Sequence, residues 1–319
     1  MPNVFQPDFR PSGARSSPRT PAAPEASITK ADTQDYFTEV ADDYRAWSPS
    51  YNMHFGFWRL GLNPLRREGM LVEMNRAVGR ALKLDEPRPM EKAPRCRCVV
   101  DLGCGAGATA RTLVGDDPSL FAVTVTNVAV QNSIAARLDA GAGVADRMAH
   151  IEADYTRTGL PAAQADGAWA VESACYASGT AKADFVREAA RLLKPGARLA
   201  VIDGFLLRRK PGRTASWLHR LWADSWAVPT LAVQGDFVAA LRDNGFEDVE
   251  VRSLRWRVAP SALHIPVLAT RFALAELWKA RGRLSPWRRK HIVASYCALV
   301  LGLFWRDFDY CLVTARRSD

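Results

Sequence analysis

The chain has 319 residues, 48% of them apolar, which suffices for a packed core in one large or two small domains. Lysine and arginine outnumber aspartate and glutamate by 43 to 34, a net charge of +9. Such a balance directs attention to acidic partners: nucleic acid, an anionic membrane face or a phosphorylated substrate. Six cysteines, at 96, 98, 104, 175, 297 and 311, lack paired C-x-x-C spacing. That argues against a zinc site or a disulfide framework and fits reduced thiols in a cytoplasmic protein, so no metal is expected. No apolar run reaches the roughly 18 residues of a membrane span, and the N-terminus has no signal-peptide core.

Residues 1–30 are rich in Pro, Ser, Ala and Arg and too poor in apolar surface to offset the entropy of ordering, so a disordered tail is expected. The spacing of Tyr36, Phe37, Val40 and Tyr44 predicts a helix over 33–46. An aromatic loop follows, with Tyr51, His54, Phe55, Phe57 and Trp58 within eight residues. Pro64 suits the first position of the next helix, whose apolar stripe is Leu65, Met70, Leu71, Met74, Val78 and Leu82. Pro87, Pro89 and Pro94 mark a boundary, giving a helical lid over 31–95.

From residue 96 strands and helices alternate: strand 98–102, helix 108–114, strand 120–126, helix 130–140, a short strand near 149–153, strand 167–172, helix 183–193 and strand 198–203. This alternation predicts an α/β fold, a Rossmann-like doubly wound sheet with helices on both faces, over 96–259. Ligands of such sheets sit at the C-terminal strand ends. Asp101, Thr126, Asp154, Glu172 and Asp203 all fall at or just beyond those ends, and together they define a candidate site. Past Asp203 the chain turns basic (Arg208, Arg209, Lys210) and then tryptophan-rich (Trp217, Trp222, Trp226). A helix is expected over 236–244, a strand over 249–258, and a last, antiparallel strand over 308–315 within a C-terminal segment 306–319. Residues 260–305 are too long for a hairpin and read as an inserted helical cap, with helices at 267–280 and 291–304 around a basic joint.

The glycine turn sets the chemistry. Val99 to Gly107 reads V-V-D-L-G-C-G-A-G, a strand, then Gly103, Gly105 and Gly107 at alternate positions, then a helix. Glycines let a ligand approach the backbone, and the following helix N-terminus offers free N–H groups. The spacing is neither the dinucleotide G-x-G-x-x-G nor a P-loop. It resembles motif I of the class I S-adenosylmethionine (SAM) dependent methyltransferases. Further segments resemble the branch acting on small lipophilic molecules, the tocopherol, sterol-24-C, geranyl-diphosphate-C and cyclopropane-fatty-acid types: V-T-N-V-A-V-Q at 125–131, Asp154-Tyr155, E-S-A-C-Y at 172–176, F-V-R-E-A-A-R-L-L-K-P-G at 185–196, and N-M-H-F-G-F-W at 52–58. The resemblance spans about 35–315 and departs from the pattern at Ala197. Many class I enzymes hold the ribose diol with a carboxylate at the second strand's end. Here that end is Thr126-Asn127, and the resemblance implies Thr126 and Gln131 as substitutes, since hydroxyl and amide groups donate and accept.

The resemblance implies SAM as methyl donor, with S-adenosylhomocysteine as product. Gly103, Gly105 and Gly107 would face its tail and ribose, Asp101 its ammonium, and Asp154 and Tyr155 its adenine. The acceptor implied is a lipophilic small molecule, with C-methylation of an isoprenoid expected first and N- or O-methylation of an aromatic or alkaloid metabolite second. Were an alkene the nucleophile, a carbocation would form. Aromatic faces and a carboxylate stabilise that charge, which singles out Glu172, Tyr176, Tyr51, His54 and Trp58. No RNA-binding pattern accompanies the positive charge, so no nucleic-acid partner is expected. The basic, tryptophan-flanked cap suits an anionic membrane surface or a diphosphate. An oligomer is compatible with the sequence.

Overall fold

The computed structural model describes residues 28–84, 96–279 and 281–319. The tail expected over 1–30 and the proline boundary therefore lie almost wholly outside the described residues.

The β-branched, apolar runs form one eight-stranded sheet. Its strands are β1 (Arg97–Leu102), β2 (Leu120–Thr126), β3 (Met148–Glu152), β4 (Ala165–Val171), β5 (Leu193–Leu206), β6 (Ala232–Val233), β7 (Phe246–Ser253) and β8 (Phe308–Arg317). The order is β3-β2-β1-β4-β5-β8-β7, with the short β6 beside β5. Strands β1 to β5 pair in parallel, whereas β8 runs antiparallel to both β5 and β7. The doubly wound, Rossmann-like sheet and the reversed C-terminal strand are thus as expected. The central strands are buried on both faces (Val99, Val100, Ala168, Trp169, Val201 and Ile202 are sealed), as continuous apolar parallel strands require.

On one face α6 (Ala183–Leu192) and α8 (Gln234–Asp243) bring Phe185 and Phe237 against Val100, Leu102 and Val201. On the other, α3 (Arg67–Ala81) and α4 (Ala108–Asp116) bring Met74, Val78, Leu113 and Val114 against Val99 and Trp169. Helix α5 (Ala129–Ala142) covers β3. Over the strand ends lie α1 (Lys30–Val40), α2 (Tyr44–Trp47), α7 (Arg213–Ser225), α9 (Arg255–Ala262), α10 (Ile265–Lys279) and α11 (Pro286–Leu301).

Several boundaries differ from expectation, each for a local reason. The helix expected over 33–46 is two: α1 starts earlier, on a capping box between Thr29 and Asp32, and ends before α2. Pro64 does not open α3, because Leu62, Leu65 and Arg66 are tied into turns on Arg59 and Asn63, and the helix begins at Arg67. The strand expected over 249–258 stops at Ser253. The Leu254 carbonyl accepts from Arg257 and Val258, so α9 begins at Arg255 and the helical insertion starts before 260. The cap helices begin at Ile265 and Pro286, the latter N-capped by Ser285 with proline in its first turn.

Candidate active site

The C-terminal ends of β1, β2, β4 and the loop after β3 converge on one cleft enclosing about 1440 Å³, open mouth included. Of the strand-end polar residues, Asp101, Thr126, Asp154 and Glu172 line it, while Asp203 does not. The Asp203 carboxylate instead accepts from the Cys175 and Gly204 amides, which braces the turn that carries Tyr176.

One end of the cleft is polar. Gly103 and Gly105 line it, with φ of 90° and 53°. A Cβ on Gly103 would lie 2.5 Å from Ser173 Cβ, which excludes a side chain, and one on Gly105 would lie 2.8 Å from the flexible Met53 Sδ, where the positive φ is what disfavours substitution. Gly107 does not line the cleft; its φ of 74° turns the chain into α4 as the helix N-cap. Asp101 is buried and forms no ion pair among the described residues. Burial pushes its carboxyl up to about 8, with the Trp169 indole opposing. Thr126 Oγ1 donates to Gln131 Oε1 at 2.6 Å, so the two residues present one hydrogen-bonding unit. Asn127 and Tyr155 also line this end, although the Tyr155 ring packs edge-on against Phe185 and its hydroxyl donates to the Ser173 carbonyl. Asp154 is paired with Lys30 of α1 and accepts from the Thr156 amide and hydroxyl, contacts that hold its carboxyl below the ordinary value against the opposing effect of burial.

The other end is aromatic. Phe37, Tyr44, Trp47, Phe55, Tyr176 and Trp226 line it together with Glu172 and His291. Glu172 Oε1 accepts from the Phe55 amide at 2.7 Å and from Tyr310 Oη at 2.6 Å. Burial lifts this carboxyl to about 8, although both bonds work the other way. The same carboxylate that faces the cleft therefore pins the aromatic loop to the sheet. His291 of α11 has Nδ1 2.6 Å from Tyr36 Oη, and Nε2 has no protein partner among the described residues. Burial depresses its basicity to about 4, so the ring is neutral near pH 7.

His54 and Tyr51 reach the cleft but are committed elsewhere. The His54 ring nitrogens lie 2.9 Å from the Phe55 carbonyl and 2.9 Å from Asn75 Oδ1, which leaves neither for an acceptor. Tyr51 packs against Ala41, Ala106 and Ile134. Trp58 stands outside the cleft, its indole donating to the Leu62 carbonyl. Sequence reasoning missed His291, because it lies 119 residues beyond Glu172 inside a cap with no strand-end register. It also read Phe37 and Tyr44 only as a helix stripe, although their aromatic spacing was a usable signal.

The close-packed glycine turn, the buried Asp101 carboxyl without an ion pair among the described residues and the Thr126–Gln131 hydroxyl–amide pair are groups that fit SAM, a ligand with an ammonium and a ribose diol. The methyltransferase-domain family model (Methyltransf_11) matches residues 100–201, from within β1 into β5. The chain is a class I SAM-dependent methyltransferase. It is 27% identical over 299 residues to the 27-O-demethylrifamycin SV methyltransferase of Amycolatopsis mediterranei (strain S699), covering 89% of this chain and 95% of that protein. Its fold matches the cyclopropane synthase MmaA2 of Mycobacterium tuberculosis with a TM-score of 0.72 at 15% identity, over 92% of this chain and 100% of that one. It also matches geranyl diphosphate C-methyltransferase of Streptomyces coelicolor A3(2), crystallised with Mg2+, geranyl-S-thiolodiphosphate and S-adenosyl-L-homocysteine. That TM-score is 0.64 at 16% identity, over 94% of this chain and 100% of that one.

Proposed function

We propose that this enzyme methylates a hydroxyl group of an uncharged, lipophilic small molecule. The observation that carries the reading is the His291 imidazole, which lines the aromatic end with its Nε2 free of protein partners among the described residues and its Nδ1 engaged by Tyr36. SAM supplies an electrophilic methyl group. Gly103 and Gly105 would admit its tail, Asp101 would face its ammonium, Thr126 and Gln131 would take the ribose diol, and Asp154 and Tyr155 would hold the adenine. The aromatic walls bind the acceptor, exclude water and align its hydroxyl, and alignment supplies much of the barrier reduction. In the tautomer protonated at Nδ1, Tyr36 Oη accepts from His291, and Nε2 would take the proton that the hydroxyl loses as its oxygen bonds to the methyl carbon and the methyl–sulfur bond breaks, leaving S-adenosylhomocysteine. Among the described residues Lys30 is the only lysine or arginine lining the cleft, and it is paired with Asp154, which disfavours a diphosphate acceptor.

Methylation of an isoprenoid carbon is the second reading, favoured by Glu172 and Tyr176 at the same aromatic end. Transfer from CD3-labelled SAM separates the two. With a hydroxylated acceptor found by screening, the label is expected on oxygen. His291→Gln is expected to lower kcat by about a hundredfold, a typical general-base contribution, while SAM affinity stays within about twofold. Label on carbon would reject the hydroxyl reading.

A further inference from the structure

The cap carries a surface that the methyl-transfer chemistry leaves unexplained. Helices α9 and α10 together span Arg255–Lys279, 25 residues long and apolar enough to cross a membrane by length and composition. They do not stand alone, however. Ile265, Ala269 and Glu276 of α10 are buried, and α10 packs on α11, so one face of this helical pair belongs to the protein. The opposite face is apolar and open. Trp256 is 81% exposed, Leu263 69%, Val267 60%, Leu274 63% and Trp278 88%. Their spacing of seven, four, seven and four residues puts them on a single stripe. The 59–66 loop extends it. The Trp58 amide donates to the Arg257 carbonyl at 2.7 Å and His264 Nε2 lies 2.8 Å from the Pro64 carbonyl, which places Leu60 and Leu65, both more than four-fifths exposed, beside α9.

The sequence along this stripe is basic, although Arg255 at its start is paired with Asp309. Between residues 255 and 283 the sequence has six basic residues, Arg255, Arg257, Arg271, Lys279, Arg281 and Arg283, and one acidic residue, Glu276. Glu276 is buried and neutralised by Lys279 and Arg288. Arg271, in the middle of the stripe, and Arg281 and Arg283 at its end have no carboxylate partner among the described residues. Tryptophans at both ends, aliphatic side chains between them and unpaired arginines alongside are the chemistry of a helix lying in a headgroup layer. Beneath this face a second, smaller cavity lies between α2, α10 and α11. It is lined by Leu268, Ala269 and Phe272, and it shares Trp47, His291 and Ser295 with the main cleft.

We infer that the outer face of α9 and α10, with the Leu60–Leu65 loop, docks the enzyme on an anionic lipid bilayer, and that a lipid-dissolved acceptor enters between α2, α10 and α11. Apolar side chains reach the acyl boundary, while the arginines meet lipid phosphates. The inference is independent of which acceptor atom is methylated, and its test reads binding rather than turnover.

The full chain is floated with phosphatidylcholine vesicles, with and without a phosphatidylglycerol fraction, at low and high salt. Flotation is expected with the anionic vesicles, weakening with salt. Trp256→Ser combined with Trp278→Ser is expected to reduce the bound fraction at least about tenfold, since each removes a large exposed apolar surface that the bilayer would cover. Calorimetric SAM affinity, expected unchanged, reports that the variant is folded. Arg271→Glu with Arg283→Glu gives an independent variant with the same expected loss. No flotation with either vesicle, or equal flotation by all variants, would overturn the inference. So would light scattering that shows a dimer dissociated by the tryptophan substitutions, because the face would then be a contact between copies.

Discussion

At Glu172 a backbone constraint and an electrostatic one meet. Its φ is 49°, a left-handed conformation that costs a non-glycine residue energy and is retained only where the surroundings demand it. Here the demand is plain: the side chain must leave β4 towards the cleft and reach both the Phe55 amide and the Tyr310 hydroxyl. Burial raises its carboxyl from the ordinary 4.5 to about 8. The folded chain therefore holds this proton more tightly than the unfolded chain does. The resulting stability is fully present below about pH 4.5 and is lost as the pH climbs towards 8. Glu172→Gln keeps an acceptor oxygen for both donors and removes the titration. Its melting temperature should match that of the parent near pH 4.5 and exceed it by an increasing margin up to about pH 8. One pKa unit corresponds to about 1.4 kcal/mol, and the margin should reach roughly 5 °C. A margin that does not change with pH would show that Glu172 titrates normally. The same variant also separates the two chemical readings: near-parental turnover fits a carboxyl that holds the lid, and a large loss fits one that stabilises a cation.

At the scale of elements, the acceptor wall is braced by a buried ammonium. Lys182 precedes α6 with φ 52°, and its Nζ donates to the carbonyls of Cys175 (3.0 Å), Ala177 (2.6 Å) and Thr230 (2.6 Å). It thus ties the short 3-10 turn that carries Tyr176, the start of α6 and the approach to β6 into one unit, and burial lowers its basicity to about 8. Lys182→Met fills similar space but strands three carbonyls. Each buried, unsatisfied group costs about 1–3 kcal/mol, so urea unfolding should show a loss of at least about 3 kcal/mol with an unchanged m-value. A loss below about 1 kcal/mol would mean that water replaces the ammonium. None of this was legible in the sequence, where Lys182 is one lysine among the surface-like residues of a loop. The parallel strands were legible because each is a short apolar run followed by a helical period, and the strand-end register then brought Asp101, Thr126, Asp154 and Glu172 into one site. The α9 start was not. Alternation continues through Arg255–Val258, and only the end of β7–β8 pairing at Ser253–Cys311 decides that the chain coils there. His291 was illegible for a related reason, since its place depends on how α11 packs on α7 and α1.

At the scale of the whole molecule, α1 joins both ends of the cleft. Lys30 pairs with Asp154 and Gln34 Nε2 donates to the Asn127 carbonyl at 2.8 Å, so its first turns close over the cosubstrate end. Thr33 Oγ1 donates to the Ala227 carbonyl at 2.9 Å, and Tyr36 meets His291 at 2.6 Å, so its middle closes over the acceptor end. A helix of 11 residues is marginal by itself, and its order comes from these contacts. A cosubstrate that fills the polar end of the cleft should therefore hold α1 down. Amide hydrogen exchange over residues 30–40 is expected to slow by about tenfold on addition of S-adenosylhomocysteine, the change that a ligand contributing about 1.4 kcal/mol to local closure produces. Lys30→Ala with Gln34→Ala removes the cosubstrate-side ties and leaves Tyr36 on His291. In that variant most of the ligand-induced protection should vanish, while slow exchange in β1 and β4 persists. Exchange over α1 that is indifferent to the ligand in the parent enzyme would show that the helix is a fixed wall.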